Sequence, residues 1–119
     1  MKKRLLICMM VGLLGVAHAA PKVATCKITL GNEIAYKGKC LFDPYEGGSF
    51  TLKPIKGEAL FDEITLIDVY ITSQRRAEVK SHTLHETLGK FSMSIDGSAV
   101  RSKSQPACWN GSYFQICAW

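Results

Sequence analysis

The chain has 119 residues, with 15 Lys or Arg against 10 Asp or Glu, and 47% of it is hydrophobic. That length holds one domain and not two. Lys2, Lys3 and Arg4 belong to an N-terminal leader, so 12 basic residues face the 10 acidic ones in the remainder, a net charge near +2. No block of like charge after Arg4 exceeds two residues, which argues against a nucleic-acid-binding role or attraction to an anionic membrane.

The leader itself is the first readable element. The basic Lys2-Lys3-Arg4 precedes an apolar run, Leu5 to Val16, and Ala17-His18-Ala19 places small residues where a signal peptidase cuts. A bilayer span needs about 20 apolar residues, so this run is too short for one. The pattern predicts a signal peptide over residues 1–19 and a single mature domain over 20–119, beginning at Ala20, or at Pro21 if the cut falls one residue later. The expected location is the bacterial periplasm or the exterior, without membrane insertion. Cys8 leaves with the leader. It makes a poor lipobox, because bulky Ile7 precedes it. Cys26, Cys40, Cys108 and Cys117 remain, and four cysteines in a short exported chain read as two disulfides. No pair has the two-to-four-residue spacing of a zinc knuckle.

Beyond Ala20 the pattern is that of strands. Ala24, Cys26, Ile28 and Leu30 alternate with polar residues; Gly31-Asn32-Glu33 reads as a loop; Ile34, Tyr36, Gly38 and Cys40 share the next strand's face. A three-residue loop pairs Leu30 with Ile34, Ile28 with Tyr36, Cys26 with Gly38 and Ala24 with Cys40. Cys26 and Cys40 then lie one diagonal step apart, and a bulge at Gly38 is expected to close the gap. Asp43 to Gly48 reads as a turn and Ser49 to Leu52 as a short strand ended by Pro54. Glu63 to Thr72, apolar on both faces, reads as a central strand. Ser73 to Arg76 reads as a turn into a strand from Ala77 to Ser81, and residues 82–94 stay open between a helical turn and an ordered loop. Asp96-Gly97 reads as a turn, Ala99 to Arg101 as a short strand, and Ala107 to Trp119 as a terminal hairpin. A four-residue loop from Asn110 to Tyr113 pairs Cys108 with Gln115 and leaves Cys117 diagonal to Cys108. The expected disulfides are therefore Cys26–Cys40 and Cys108–Cys117. The expected fold is all-β and mostly antiparallel, a small barrel or sandwich of six to eight short strands.

Chemistry is harder to read than architecture. His82, His85 and Glu86 would converge on one ion if residues 82–86 were helical, but three ligands within five residues and no distant fourth is a thin metal site. His82 or His85 with Asp96 or Glu86 can be drawn as an acid–base pair for hydrolysis. No nucleophile elbow, phosphate-binding glycine loop or zinc-protease helix accompanies them. Gly47-Gly48-Ser49 reads as a turn and not as an activated serine. Arg75, Arg76 and Tyr113 are the candidates for contact with a protein partner, since arginine and tyrosine are over-represented among binding hot spots.

Four segments carry a resemblance. Gly38-Lys39-Cys40-Leu41-Phe42, Gly48-Ser49-Phe50, Ala107-Cys108-Trp109 and Ile116-Cys117-Ala118-Trp119 resemble small exported bacterial proteins sharing Gly-x-Cys-x-Phe, Gly-Ser-Phe and Ala-Cys-Trp…Cys-Ala-Trp segments. That group has no assigned activity, so the resemblance implies a scaffold and no catalytic residue. It covers the two ends and leaves residues 53–100 unmatched. The layout is more loosely similar to periplasmic lysozyme inhibitors, which are small disulfide-bonded β-barrels. Their Ser/Lys inhibitory loop is not recognisable here, and a basic inhibitor would approach a basic lysozyme against repulsion. The expectation is a non-enzymatic, cofactor-free protein-binding domain of inhibitor or immunity type. The alternatives are a small hydrolase using His82 and His85, and an accessory subunit of an envelope assembly.

Overall fold

A computed structural model describes residues 20–84 and 94–119. Eight antiparallel strands follow one another around a closed barrel. They are β1 (Lys22–Leu30), β2 (Glu33–Pro44), β3 (Phe50–Lys53), β4 (Ile64–Ser73), β5 (Arg76–Thr83), β6 (Asp96–Arg101), β7 (Cys108–Asn110) and β8 (Phe114–Ala118). Each strand pairs with its neighbour in sequence, and β8 closes the ring against β1 through Lys27↔Cys117 and Ile28↔Ile116. Among the described residues the helical content is one 3₁₀ turn, Glu46–Gly48.

Alternation decides what fills the interior. Cys26 and Ile28 of β1, Leu52 of β3, Ile67 and Val69 of β4, Val79 of β5 and Ile116 of β8 point inward and are at most 1% exposed. Trp109 of β7, 2% exposed, is the largest side chain among them. An eight-stranded barrel is just wide enough for side chains to fill it or for one small ligand, and here every strand contributes inward residues to one buried hydrophobic cluster. Outward positions carry Lys27, Lys37, Lys39, Glu78 and Lys80. Apolar inside and charged outside is the inverse of the alternation that a lipid-embedded barrel requires. No helix among the described residues is long and apolar enough to cross a membrane.

The first hairpin keeps three of its four expected pairs: Ala24↔Cys40, Cys26↔Gly38 and Ile28↔Tyr36. Its turn is tighter than expected. Leu30 pairs with Glu33, so the loop is Gly31-Asn32, and Gly31 adopts φ 63° there. The extra residue is absorbed by a bulge between Ile34 and Tyr36, not at Gly38. Ile34 is consequently turned outward and is 57% exposed. The Cys26–Cys40 bond forms across the diagonal without a local bulge, at a Cα–Cα distance of 5.9 Å. Gly38 opposite Cys26 has no side chain to compete for that space, and the Tyr36 ring fills it: a Cβ at Gly38 would sit 3.1 Å from the Tyr36 hydroxyl.

The second disulfide corrects the expected C-terminal register. Cys108 pairs directly with Cys117, Trp109 with Ile116 and Asn110 with Gln115. The loop therefore begins at Gly111, whose N–H donates to the Phe114 carbonyl at 2.8 Å. The two cysteines face each other at a Cα–Cα distance of 4.0 Å. The two bonds lie on opposite sides of the wall. Cys26–Cys40 is inside, whereas Cys108–Cys117 is outside the core cluster, with both its cysteines buried.

β4 corrects a second expectation. Its apolar residues appear on both faces because of a bulge between Ile64 and Leu66, and not because the strand lies between two layers. Ile64 and Ile67 both point inward across that phase shift. Asp96 and Gly97, expected as a turn, open β6 and pair with Lys80 and Val79. His82 and Thr83 extend β5. The two buried serines serve this framework. Ser49 Oγ accepts from the Ile71 N–H at 2.8 Å and Ser81 Oγ from the Ile95 N–H at 2.8 Å, so each replaces a missing ladder bond.

Candidate functional site

The barrel has two ends. The β1–β2 turn, the 54–63 connection, the end of β5, the start of β6 and the β7–β8 loop share one. The 45–49 loop, the β4–β5 turn, the 102–107 connection and the two termini of the described fold share the other.

Arg75 and Tyr113 fall at opposite ends. Arg75, in the β4–β5 turn, donates to the Arg101 carbonyl at 2.7 Å, and Arg101 N–H returns a bond to the Arg75 carbonyl at 3.0 Å. Arg76 begins β5 opposite Val100 and is exposed. Tyr113 is tied to the other end of β6. Its hydroxyl accepts from Asp96 N–H at 2.9 Å and faces the carbonyls of Ser94 at 3.1 Å and Asp96 at 3.3 Å. The strand between them is six residues long, roughly 17 Å. These three candidates therefore do not form one patch. The Tyr113 hydroxyl acts as a latch on the entry to β6, while its ring remains 44% exposed. Tyr113→Phe is expected to cost about 1 kcal/mol in urea unfolding, the net value of an ordinary hydrogen bond, and to raise amide exchange at Asp96.

His82 and Asp96 occupy the outer face of β5 and β6. Asp96 pairs with Lys80, so His82 is one diagonal step away. Thr65 Oγ1 donates to the His82 carbonyl at 3.2 Å. His85 and Glu86 lie outside the described residues. Among the described residues, no group of three His, Cys, Asp or Glu side chains converges as a metal site would require.

Three surface grooves are better defined. One, of about 440 Å³, lies between the β1–β2 turn and the β7–β8 loop and includes Asn32, Asn110 and Tyr113. Another, of about 310 Å³, lies between β2 and the 54–63 connection, beside Tyr36, Lys39 and Ile55. The third, of about 380 Å³, runs along the outer wall at β8, β1 and β2. The Cys108–Cys117 disulfide, Pro106, Trp119, Lys27 and Lys37 are among the residues that line it. Neither Arg75, Arg76, His82 nor Asp96 lines any of the three.

The third groove has unusual electrostatics. Lys27 and Lys37 are direct cross-strand partners, with Lys39 next along the same face. Like charges placed directly opposite one another destabilise a sheet. β1, β8 and β2 from Ile34 to Leu41 contain no Asp or Glu at all. The ion pair found among the described residues is elsewhere, Lys53 with Asp43 at 2.9 Å. Lys37→Glu should accordingly raise stability by roughly 0.2–1 kcal/mol at low salt, with the gain shrinking as salt is added. A loss of stability would show that another group already neutralises this pair.

A second outer feature sits across the barrel. Tyr45 and Tyr70 stack at 6.5 Å with rings 21° apart, and the Tyr45 hydroxyl donates to Asp68 Oδ1. Desolvation, followed by that hydrogen bond and the Asp68 charge, pushes the Tyr45 phenol above the usual tyrosine range. Both donor and acceptor are engaged with each other, so this cluster reads as a clamp holding the 45–49 loop against β4.

The sequence reading missed Lys27, Lys37 and Trp119 as a group. The Lys27–Lys37 pairing was implicit in the first hairpin, but only closure of β8 on β1 brings the disulfide and Trp119 beside it. No protein-family model, no curated protein and no solved structure matches the chain. The two disulfides suggest an oxidising compartment outside the cytoplasm.

Proposed function

We propose that this protein is exported to the bacterial periplasm, where its signal peptide over residues 1–19 is removed, and that it acts there as a non-enzymatic binder of another protein, of inhibitor or immunity type. The observation that carries the reading is the contrast between a buried hydrophobic core inside the barrel and a wall groove lined by a disulfide, a solvent-exposed tryptophan and two lysines opposed across β1 and β2. A small rigid barrel with its distinctive chemistry outside is suited to presenting a surface to a macromolecule. The likeness of its cysteine-bearing segments to those of small exported bacterial proteins supports the same reading.

The test is affinity capture from periplasmic extract with the mature chain as bait, followed by a measured affinity for the recovered protein. Intact mass of the periplasmic form should correspond to a chain beginning at Ala20 or Pro21. The hydrolase reading has one observation in its favour, the shared outer face of His82 and Asp96. A His82→Ala/His85→Ala variant should retain partner binding. If that variant folds normally and loses all biological effect, the binding reading falls and the hydrolase takes its place.

A further inference from the structure

We infer that the groove on the outer wall of β8, β1 and β2 is the docking site for an acidic peptide segment of the partner, with a carboxylate set between Lys27 and Lys37 and an adjoining apolar side chain laid against Trp119. The inference rests on the protein-binding reading above and specifies its site and its chemistry.

Three independent observations converge on it. First, the fold places Lys27 and Lys37 directly opposite each other across an antiparallel pair, with Lys39 following on the same side. Such a pair is unfavourable alone and is relieved by an anion placed between its members. β1, β8 and residues 34–41 of β2 supply no Asp or Glu side chain beside them, so a ligand carboxylate set between the two lysines would gain from both. Second, Trp119 is 59% exposed although its backbone is pinned. Its N–H donates to the Thr25 carbonyl at 3.0 Å, and its carbonyl accepts from Thr25 N–H at 2.8 Å. An exposed indole on a tied backbone is an anchor whose backbone ordering cost has already been met by folding. Third, the groove is lined by a disulfide and by a connection held in place at Gln105 and Pro106. Cys108 N–H donates to the Gln105 carbonyl at 2.8 Å, and the Arg101 guanidinium donates to the Pro106 carbonyl at 3.0 Å while stacking over Trp109 at 5.2 Å. The groove is therefore preformed.

The geometry also selects the ligand class. Cationic charge at one side and an aromatic wall at the other suit a segment in which Asp or Glu adjoins an apolar residue. β2 pairs with β3 from Leu41 to Pro44, so its earlier residues offer a second kind of docking, by strand addition. Its lysines at 37 and 39 instead match the way sheets discourage such pairing, and the apolar shelf lies on the wall's face and not along that edge.

The experiment titrates the mature protein with the blocked peptide Glu-Glu-Leu-Glu-Glu and with its neutral counterpart Gln-Gln-Leu-Gln-Gln, followed by the Trp119 indole N–H and by amide shifts. The acidic peptide should saturate, shift Lys27, Lys37 and Trp119, and weaken as NaCl rises from about 50 to about 300 mM. The Lys27→Gln/Lys37→Gln variant, with unchanged or raised thermal stability, should bind it about tenfold less well. Equal binding of the neutral peptide, shifts elsewhere on the barrel, or unaltered affinity in the double variant would each overturn the inference. So would displacement by acetate at matched carboxylate concentration and ionic strength, which would mark a site for small anions only. Parallel capture with wild-type and variant baits separates the two levels. A partner recovered equally by both removes the groove and keeps the binding reading. No partner for either bait, with the acidic peptide bound as expected, removes the binding reading and keeps the groove's chemistry.

Discussion

Replacing both Cys26 and Cys40 by Ala is expected to cost about 4 kcal/mol, the larger of the two disulfide losses. The bond closes a loop with a sequence separation of 14, which the chain-entropy relation values at about 3 kcal/mol. Both cysteines are fully buried inside the barrel. Their removal also leaves unfilled volume among Ile28, Leu52 and Ile116, adding about 1 kcal/mol. The Cys108–Cys117 bond spans only nine residues and sits outside the core, so its loss should cost nearer 2.5 kcal/mol. Losing both would cost about 6.5 kcal/mol, which exceeds the lower end of the usual total stability of about 5–15 kcal/mol and removes nearly half of its upper end. Urea midpoints of the two double-alanine variants, at equal m-values, decide the ranking. If the outer pair proves the costlier, packing around the inner bond contributes less than its burial implies.

Gly111→Ala is the second large effect, expected to destabilise by about 3 kcal/mol. A Cβ at Gly111 would lie 2.2 Å from Phe114 Cζ, 2.4 Å from its Cε2 and 2.6 Å from its Cε1. The φ of Gly111 is not in the left-handed region, so the cost arises from collision and not from the backbone. The ring has little freedom to yield. Phe114 is 5% exposed and meets Tyr113 edge-on at 5.2 Å, with Tyr113 itself latched to Ser94 and Asp96. Overpacking of a tight site costs about 1–3 kcal/mol, and here displacement of the ring also loosens the β7–β8 loop. Adding Phe114→Leu to Gly111→Ala should recover part of the loss, a coupling that independent sites do not show. A Gly111→Ala variant within about 0.5 kcal/mol of wild type would mean that the loop moves freely and that the Tyr113 latch is not rigid.

The two expected losses lie at places where the sequence was legible to different degrees. The Cys26–Cys40 pairing followed from alternation within one hairpin, because residues two apart on a strand share a face whatever the rest of the chain does. Gly111 carried no such signal. In sequence it is the second half of an Asn-Gly pair, and its need to be glycine comes from a ring three residues away that only the completed loop folds back over it.

Class and cysteine pairing, and a strand count within six to eight, were determined by the sequence alone, since period-2 alternation and Gly, Pro and Asn punctuation are local properties. The count of eight and closure into a barrel rather than a sandwich came with the fold. Tertiary structure decided the rest. The bulges at Ala35 and Thr65 placed Ile34 outside and Ile64 inside, because one inserted residue inverts every side chain beyond it. Closure of β8 on β1 placed one disulfide within the barrel and the other on its wall, and brought Trp119 beside lysines more than eighty residues earlier in the chain. It also set Arg75 and Tyr113 at opposite ends of β6. Each of these depends on which non-local pairings can form together, and alternation along a single strand carries no information about its neighbour.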